Sequence, residues 1–257
     1  MRNALLEVTD LSRRFGGLTA VDGLNFHVND GEIVSIIGPN GAGKTTAFNL
    51  ITCIYPPSAG AISFDGLNLV GLPLHRIAAA GIGRTFQNLR VFANLTAREN
   101  ILVGLTRHAR ASFLETLFHG GRFRAEEEAL AAEADRLVAL LDLTPVADQL
   151  VRNLPYGDQR RVEIARALAT KPKILLLDEP AAGMTPPEIE ELNGMIRRLR
   201  DELGKTVLMV EHHMSLVMEI SDRIIVMDQG RKIAEGTPDE VRSNPLVISA
   251  YLGSGVV

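Results

Sequence analysis

The sequence predicts an α/β protein: a mostly parallel sheet flanked by helices, with an antiparallel β subdomain near the amino-terminus and an inserted helical subdomain. Three observations predict it. Runs rich in Ile, Leu and Val at 32–37, 174–177, 206–210 and 223–227 read as strands buried on both faces. Helical stretches at 44–54, 160–170, 187–203 and 214–220 lie between them, so strand and helix alternate with right-handed crossovers. From about Thr96 to Thr170 the strand pattern disappears, and 125–143 (AEEEALAAEADRLVALLDL) carries apolar residues at helical spacing behind an acidic first turn.

The amino-terminal segments 5–8, 24–28 and 61–64 are punctuated by Gly and Asp turns and read as antiparallel strands. Residues 106–124 read as a helix with a loop, or as a solvated connector. At 257 residues the chain suits one domain with a substantial insertion rather than two full domains. The division expected is a core of 1–87 with 171–253 and a helical insert of 88–170.

Composition narrows the function. Lys and Arg number 27 against 31 Asp and Glu, a formal net charge of -4, which gives no global attraction for nucleic acid or an anionic membrane. Cys53 is the one cysteine; it cannot form an intrachain disulfide and reads as a small buried residue in a reducing compartment. No apolar run approaches the ~18 residues needed to span a bilayer, and the amino-terminus lacks a signal peptide's basic-then-apolar order. The expectation is a cytoplasmic chain. Six histidines and one cysteine show no paired ligand spacing, so any metal should arrive with a phosphate.

The run Gly38-Pro39-Asn40-Gly41-Ala42-Gly43-Lys44-Thr45-Thr46 has the pattern G-x-x-x-x-G-K-[ST], after an apolar strand and before a helix. Glycines let backbone amides turn inward around phosphate oxygens, and the helix start presents unpaired N–H groups. Lys44 is expected on the β and γ phosphates of a nucleotide and Thr45 on a magnesium ion. The run 173–180 (KILLLDEP) is a buried strand ending in Asp178 and Glu179, whose side chains alternation sends in different directions. Asp178 is expected to hold the magnesium and Glu179 to act as general base on the attacking water.

At Leu154-Pro155-Tyr156-Gly157-Asp158-Gln159-Arg160-Arg161, shortly before the acidic strand, the chain resembles the ABC ATPase family. The family's signature reads LSGGQ; Leu154 and Gly157 match it, whereas Pro155, Tyr156 and Asp158 depart and remove the serine hydroxyl. The resemblance implies that these five residues meet ATP across a dimer, with Gly157 and the following helix start offering N–H donors. It further implies that Gln87 is the Q-loop residue joining magnesium and water to the insert, that His212 is the switch histidine near the γ-phosphate, and that Phe15 stacks on adenine. Residues 181–185 occupy the D-loop position, with Thr185 in place of the usual acid.

The form of the 154–168 helix, the Val210-Glu211-His212-His213 run and the 241–257 tail resemble the LivG-type ATPases of branched-chain amino acid importers. That likeness implies ATP and Mg2+ as cofactors, a second ATPase subunit packed head to tail, two integral-membrane permease subunits, a periplasmic solute-binding protein, and no nucleic acid. It places the chain on the inner face of the membrane. A lipopolysaccharide-export-type ATPase and a non-transport ABC ATPase stand as alternatives, because fold and site alone determine only the ATP chemistry.

Overall fold

The computed structural model describes residues 4–108 and 121–252. The described residues form two compact units, one comprising the segments up to Arg84 and from Lys173 onward, the other Thr85–Pro172.

The first unit carries the strands β1 (Ala4–Phe15), β2 (Leu18–Asn29), β3 (Ile33–Ile37), β4 (Ala59–Phe64), β5 (Leu67–Asn68), β6 (Ile82–Arg84), β7 (Ile174–Asp178), β8 (Thr206–Val210), β9 (Arg223–Asp228) and β10 (Arg231–Gly236). They make an antiparallel sheet of order β2-β1-β4-β5 and a second sheet of order β10-β9-β3-β8-β7-β6. In the second sheet β9, β3, β8, β7 and β6 run parallel, and β10 adds an antiparallel edge. Every residue of β3, β7 and β8 is buried, which explains why Ile, Leu, Val and Met dominate them. Each such Val, Leu or Ile contributes roughly 1.5–3 kcal/mol through burial. One apolar core joins these strands to the antiparallel sheet through Phe48, Phe64, Leu6 and Ile62.

The antiparallel strands are longer than their sequence pattern suggests, and the reason is local. β1 shifts register between Val8 and Leu11, and Asp10 lies at φ 47. Asn25 closes this bulge: its Oδ1 accepts the Asp10 amide at 2.8 Å and its Nδ2 donates to the Asp10 carboxylate at 2.8 Å. A bulge breaks the two-residue alternation from which strand length is read. Three strands went unforeseen: β5 and β6 have only two and three residues, and β10 (RKIAEG) is a polar edge.

The helix after the phosphate loop runs over Lys44–Ile51 rather than to Ile54. The Thr52 hydroxyl bonds the Phe48 carbonyl at 3.0 Å, and Cys53 turns to φ 52 with its amide on Leu50 O at 2.9 Å. Cys53 is a free, half-buried thiol, and burial pushes its pKa up.

In the second unit, helix Ala97–Leu105 packs against helices Gly121–Leu140 and Tyr156–Ala169. Thr96 and Glu99 form a capping box, the Glu99 carboxylate taking the Thr96 amide at 2.7 Å and the Thr96 hydroxyl taking the Glu99 amide at 3.1 Å. Gly104 permits the close approach, because a Cβ there would strike the Arg166 carbonyl and Ala169. The helix expected over 125–143 falls within Gly121–Leu140 at its start and stops short at its end, where Asp142 adopts φ 57. Most of 106–124, expected as helix and loop or connector, lies outside the described residues. Helix Tyr156–Ala169 starts four residues before the expected Arg160, so Tyr156, Gly157 and Asp158 form its first turn.

Candidate functional site

Strand β3 delivers the chain into the phosphate loop. Gly38 (φ 153) and Gly43 (φ 96) both hold conformations rare for other residues, and a Cβ on either would collide with the carbonyl of Met227 or of Ala20. Gly43 is the N-cap of helix Lys44–Ile51 and supplies no capping side chain, so the first-turn amides are available to an anion. Lys44 is 7% exposed, and its Nζ donates to Gly38 O at 2.7 Å and Pro39 O at 3.0 Å. Burial lowers its pKa from the ordinary lysine value, an effect opposed by the carboxylate of Glu179. A buried cation on two neutral carbonyls is the counterpart a phosphate lacks in water. Asn40, Gly41 and Thr45 are exposed, Pro39 and Thr46 half-buried, and Ala42 buried.

Strand β7 ends at Asp178, which is 2% exposed and paired with Arg84 at 2.8 Å. Arg84, on β6, also donates to Asn49 Oδ1 at 2.9 Å and to the Thr52 hydroxyl, tying the acid to the far end of the helix Lys44–Ile51. Glu179 follows with φ 47, a left-handed backbone costing a non-glycine residue about 1–3 kcal/mol. Its amide donates to Val210 O at 2.9 Å, and its Oε2 lies 3.8 Å from His212 Nδ1. The two acids therefore diverge as alternation requires, Asp178 toward Arg84 and Glu179 toward the half-exposed His212. The oxygen donors of Thr45 and Asp178 are of the kind a hard divalent cation selects.

Sequence reading did not single out Arg84. Replacing it by Met removes the guanidinium paired with buried Asp178, so the unfolding free energy in urea is expected to fall by about 3–5 kcal/mol. An unchanged denaturation midpoint and slope would show that the pair carries no stability.

Strand β8 ends at Val210 and is followed by Glu211, fully buried, and then by His212 and His213. Ligand-capable atoms of these three consecutive residues cluster within 4.8 Å, a correction to the expectation that the histidines show no paired ligand spacing. Glu211, however, already receives N–H donors on both oxygens: Ala181 N on Oε1 at 2.8 Å, and His212 N and His213 N on Oε2 at 2.7 and 2.9 Å. Thr185, at the D-loop position, caps helix Pro186–Asp201, with its amide and hydroxyl both 2.7 Å from the Glu188 carboxylate. Phe15 is 39% exposed; the Arg13 guanidinium sits 4.6 Å from its ring centre and Tyr55 meets it edge-on at 5.4 Å.

Gln87 and Leu154–Asp158 belong to the second unit. There Arg160, fully buried, donates to Phe86 O at 2.9 Å, Gln87 O at 3.2 Å, the Tyr156 hydroxyl at 3.0 Å and Glu163 at 2.7 Å. Glu163 in turn accepts the amides of Phe86 and Arg90. The Arg160–Glu163 pair thus holds the backbone of 86–90 on the first turns of the helix that bears Tyr156, Gly157 and Asp158. Leu154 is buried and its carbonyl accepts Gln159 Nε2 at 2.8 Å; Pro155 is the N-cap. The available signal for Arg160 and Glu163 was their i, i+3 spacing with opposite charge, which ordinarily marks a solvated surface pair.

A glycine-rich phosphate loop at the end of β3, a lysine buried within it and a carboxylate pair at the end of β7, two strands along the same parallel sheet, define a nucleoside triphosphatase cassette. The family model described as "ABC transporter" matches residues 21–182, and a second, "Branched-chain amino acid ATP-binding cassette transporter", matches 231–257. The chain belongs to the ABC transporter family as one of its ATP-binding ATPase cassettes. It is 50% identical to the high-affinity branched-chain amino acid transport ATP-binding protein BraF of Pseudomonas aeruginosa, over 98% of this chain and 99% of the relative. To the corresponding LivG protein of Escherichia coli K12 it is 48% identical, with the same coverage. A solved dimeric ATP-binding cassette, captured after hydrolysis with ADP and phosphate, shares its fold with a TM-score of 0.76 and 28% identity, over 91% of this chain and 98% of that one. Among the described residues no helix is long and apolar enough to cross a membrane.

Proposed function

We propose that the chain hydrolyses ATP to power uptake of leucine, isoleucine and valine, or closely similar small solutes. The observation that carries this cargo is near-half identity to two branched-chain amino acid transport ATPases along almost the whole chain, together with the family match at 231–257. In this reading the loop amides of 38–46 and Lys44 hold the triphosphate, and Phe15 carries the adenine. Thr45 and Asp178 would hold a magnesium ion, with Gln87 as a further ligand. That ion would neutralise charge developing on the phosphates. Glu179 orients and deprotonates the attacking water, and His212 supports the γ-phosphate. Leu154, Pro155, Tyr156, Gly157 and Asp158 serve the site of a second ATPase subunit packed head to tail.

ATP bound between two subunits biases an open–closed equilibrium by its contacts to both. Two permease subunits convert that bias into transport, fed by a periplasmic binding protein, and hold this chain against the inner face of the membrane. The test is reconstitution of the chain with its permeases in proteoliposomes loaded with ATP. Accumulation of labelled leucine is expected, abolished by leaving out this chain. A complex that hydrolyses ATP and moves none of the three amino acids would overturn the cargo while leaving the ATPase reading standing.

A further inference from the structure

Glu211 takes no part in the chemistry just described, yet it is fully buried and its two oxygens gather donors from separate stretches of chain. Oε1 accepts the Ala181 amide at 2.8 Å. Oε2 accepts the amides of His212 at 2.7 Å and His213 at 2.9 Å and lies 3.1 Å from His213 Nδ1. Burying a carboxylate costs free energy unless such bonds offset it, so the donors and the acid fix one another.

Each donor adjoins a residue assigned to hydrolysis. Ala181 sits two residues beyond Glu179, in the turn that holds Glu179 at φ 47. That turn is closed by three bonds: Glu179 N to Val210 O at 2.9 Å, Ala182 N to Glu179 O at 3.1 Å, and Ala181 N to Glu211. A strained backbone persists only where its surroundings over-determine it, and two of these three bonds come from the end of β8. On its other oxygen Glu211 fixes the His212 amide and the His213 ring, which lies 4.3 Å from the His212 ring.

We infer that Glu211 is a positioning residue for hydrolysis: one buried carboxylate holds the Glu179 turn and the His212 backbone together and so sets the 3.8 Å separation of their side chains. It acts through Glu179 and His212 without touching nucleotide, and the inference rests on the roles proposed for those two residues.

Two variants test it in the transporter reconstituted with its permeases. In Glu211→Gln, whichever way the amide lies, an NH2 group faces a backbone N–H that needs an acceptor. Glu211→Asp keeps the charge but is one methylene too short to reach both sets of donors. Displacement of about 1 Å at a catalytic group is expected to lower kcat by about a hundredfold. ATP affinity should stay within about twofold, because the phosphate loop is untouched. Parental kcat in either folded variant overturns the inference, as does a loss of ATP affinity in step with kcat, which marks a merely structural role. Should Glu211→Gln give no melting transition, Glu211→Asp decides alone. Glu179→Gln is run beside them: if it also turns over at the parental rate, the assignment of Glu179 is what fails.

Discussion

Glu179→Gln is expected to retain ATP and lose turnover by about a hundredfold to ten-thousandfold, the contribution of a positioned general base. The substitution preserves side-chain shape and asks nothing new of the backbone, which stays at φ 47. An amide cannot take a proton from water, so nucleotide enters and stays. Because the bound triphosphate is what holds two ATPase subunits together in the proposed cycle, the variant should also accumulate as an ATP-dependent dimer. Single-turnover phosphate release measures the first effect, and gel filtration with and without ATP measures the second. Release at the parental rate would remove Glu179 from the role of base. Normal retention of ATP by monomers alone would leave the base in place and refute the subunit-bridging role.

The parts of this site that rest on contiguous residues were legible in the sequence. Gly38–Thr46 is a single run whose glycines and lysine have one common use, and β3 and β7 are apolar but for Ser35 and Asp178 because both of their faces are covered. What escaped notice depends on contacts between distant segments. Arg84 is an arginine in a three-residue strand, and its partners Asn49, Thr52 and Asp178 stand on two other elements. Arg160 and Glu163 look like a surface pair at helical spacing; only the packing of 86–90 over them turns that pair into a buried clamp. Glu211 could be read only as one letter of a family run, since the Ala181 amide that completes its role lies thirty residues away. The helix start at Tyr156 was missed for a local reason. Its N-cap is Pro155, which contributes no capping side chain, so the polar cap that usually announces a helix is absent. For the proposed dimer the consequence is functional, because Tyr156 spends its hydroxyl on Arg160, and the first-turn backbone N–H groups are what the proposed signature would have left to offer a phosphate.

Lys44→Ala is expected to separate binding from stability with effects of opposite sign. In the chain without nucleotide the ammonium is held by two carbonyls in a buried loop, and burial depresses its pKa. A lysine whose folded pKa lies below its unfolded value opposes folding while charged. That opposition is complete at pH below the depressed value and disappears as pH rises past the ordinary lysine range. Removing the side chain at neutral pH therefore takes away an unfavourable burial, and the melting temperature without nucleotide should hold or rise slightly. ATP binding should move the other way. Charge-assisted hydrogen bonds to the phosphates contribute about 1.5–3 kcal/mol each, so losing those of Lys44 weakens affinity by about a hundredfold or more. The rise in melting temperature that ATP induces in the parent should then vanish at matched concentrations. Calorimetric titration with ATP and thermal scans across neutral to alkaline pH measure both arms. Parental ATP affinity would refute the phosphate-loop assignment, and a lower melting temperature without nucleotide would show that Lys44 props the loop rather than waiting in it for an anion.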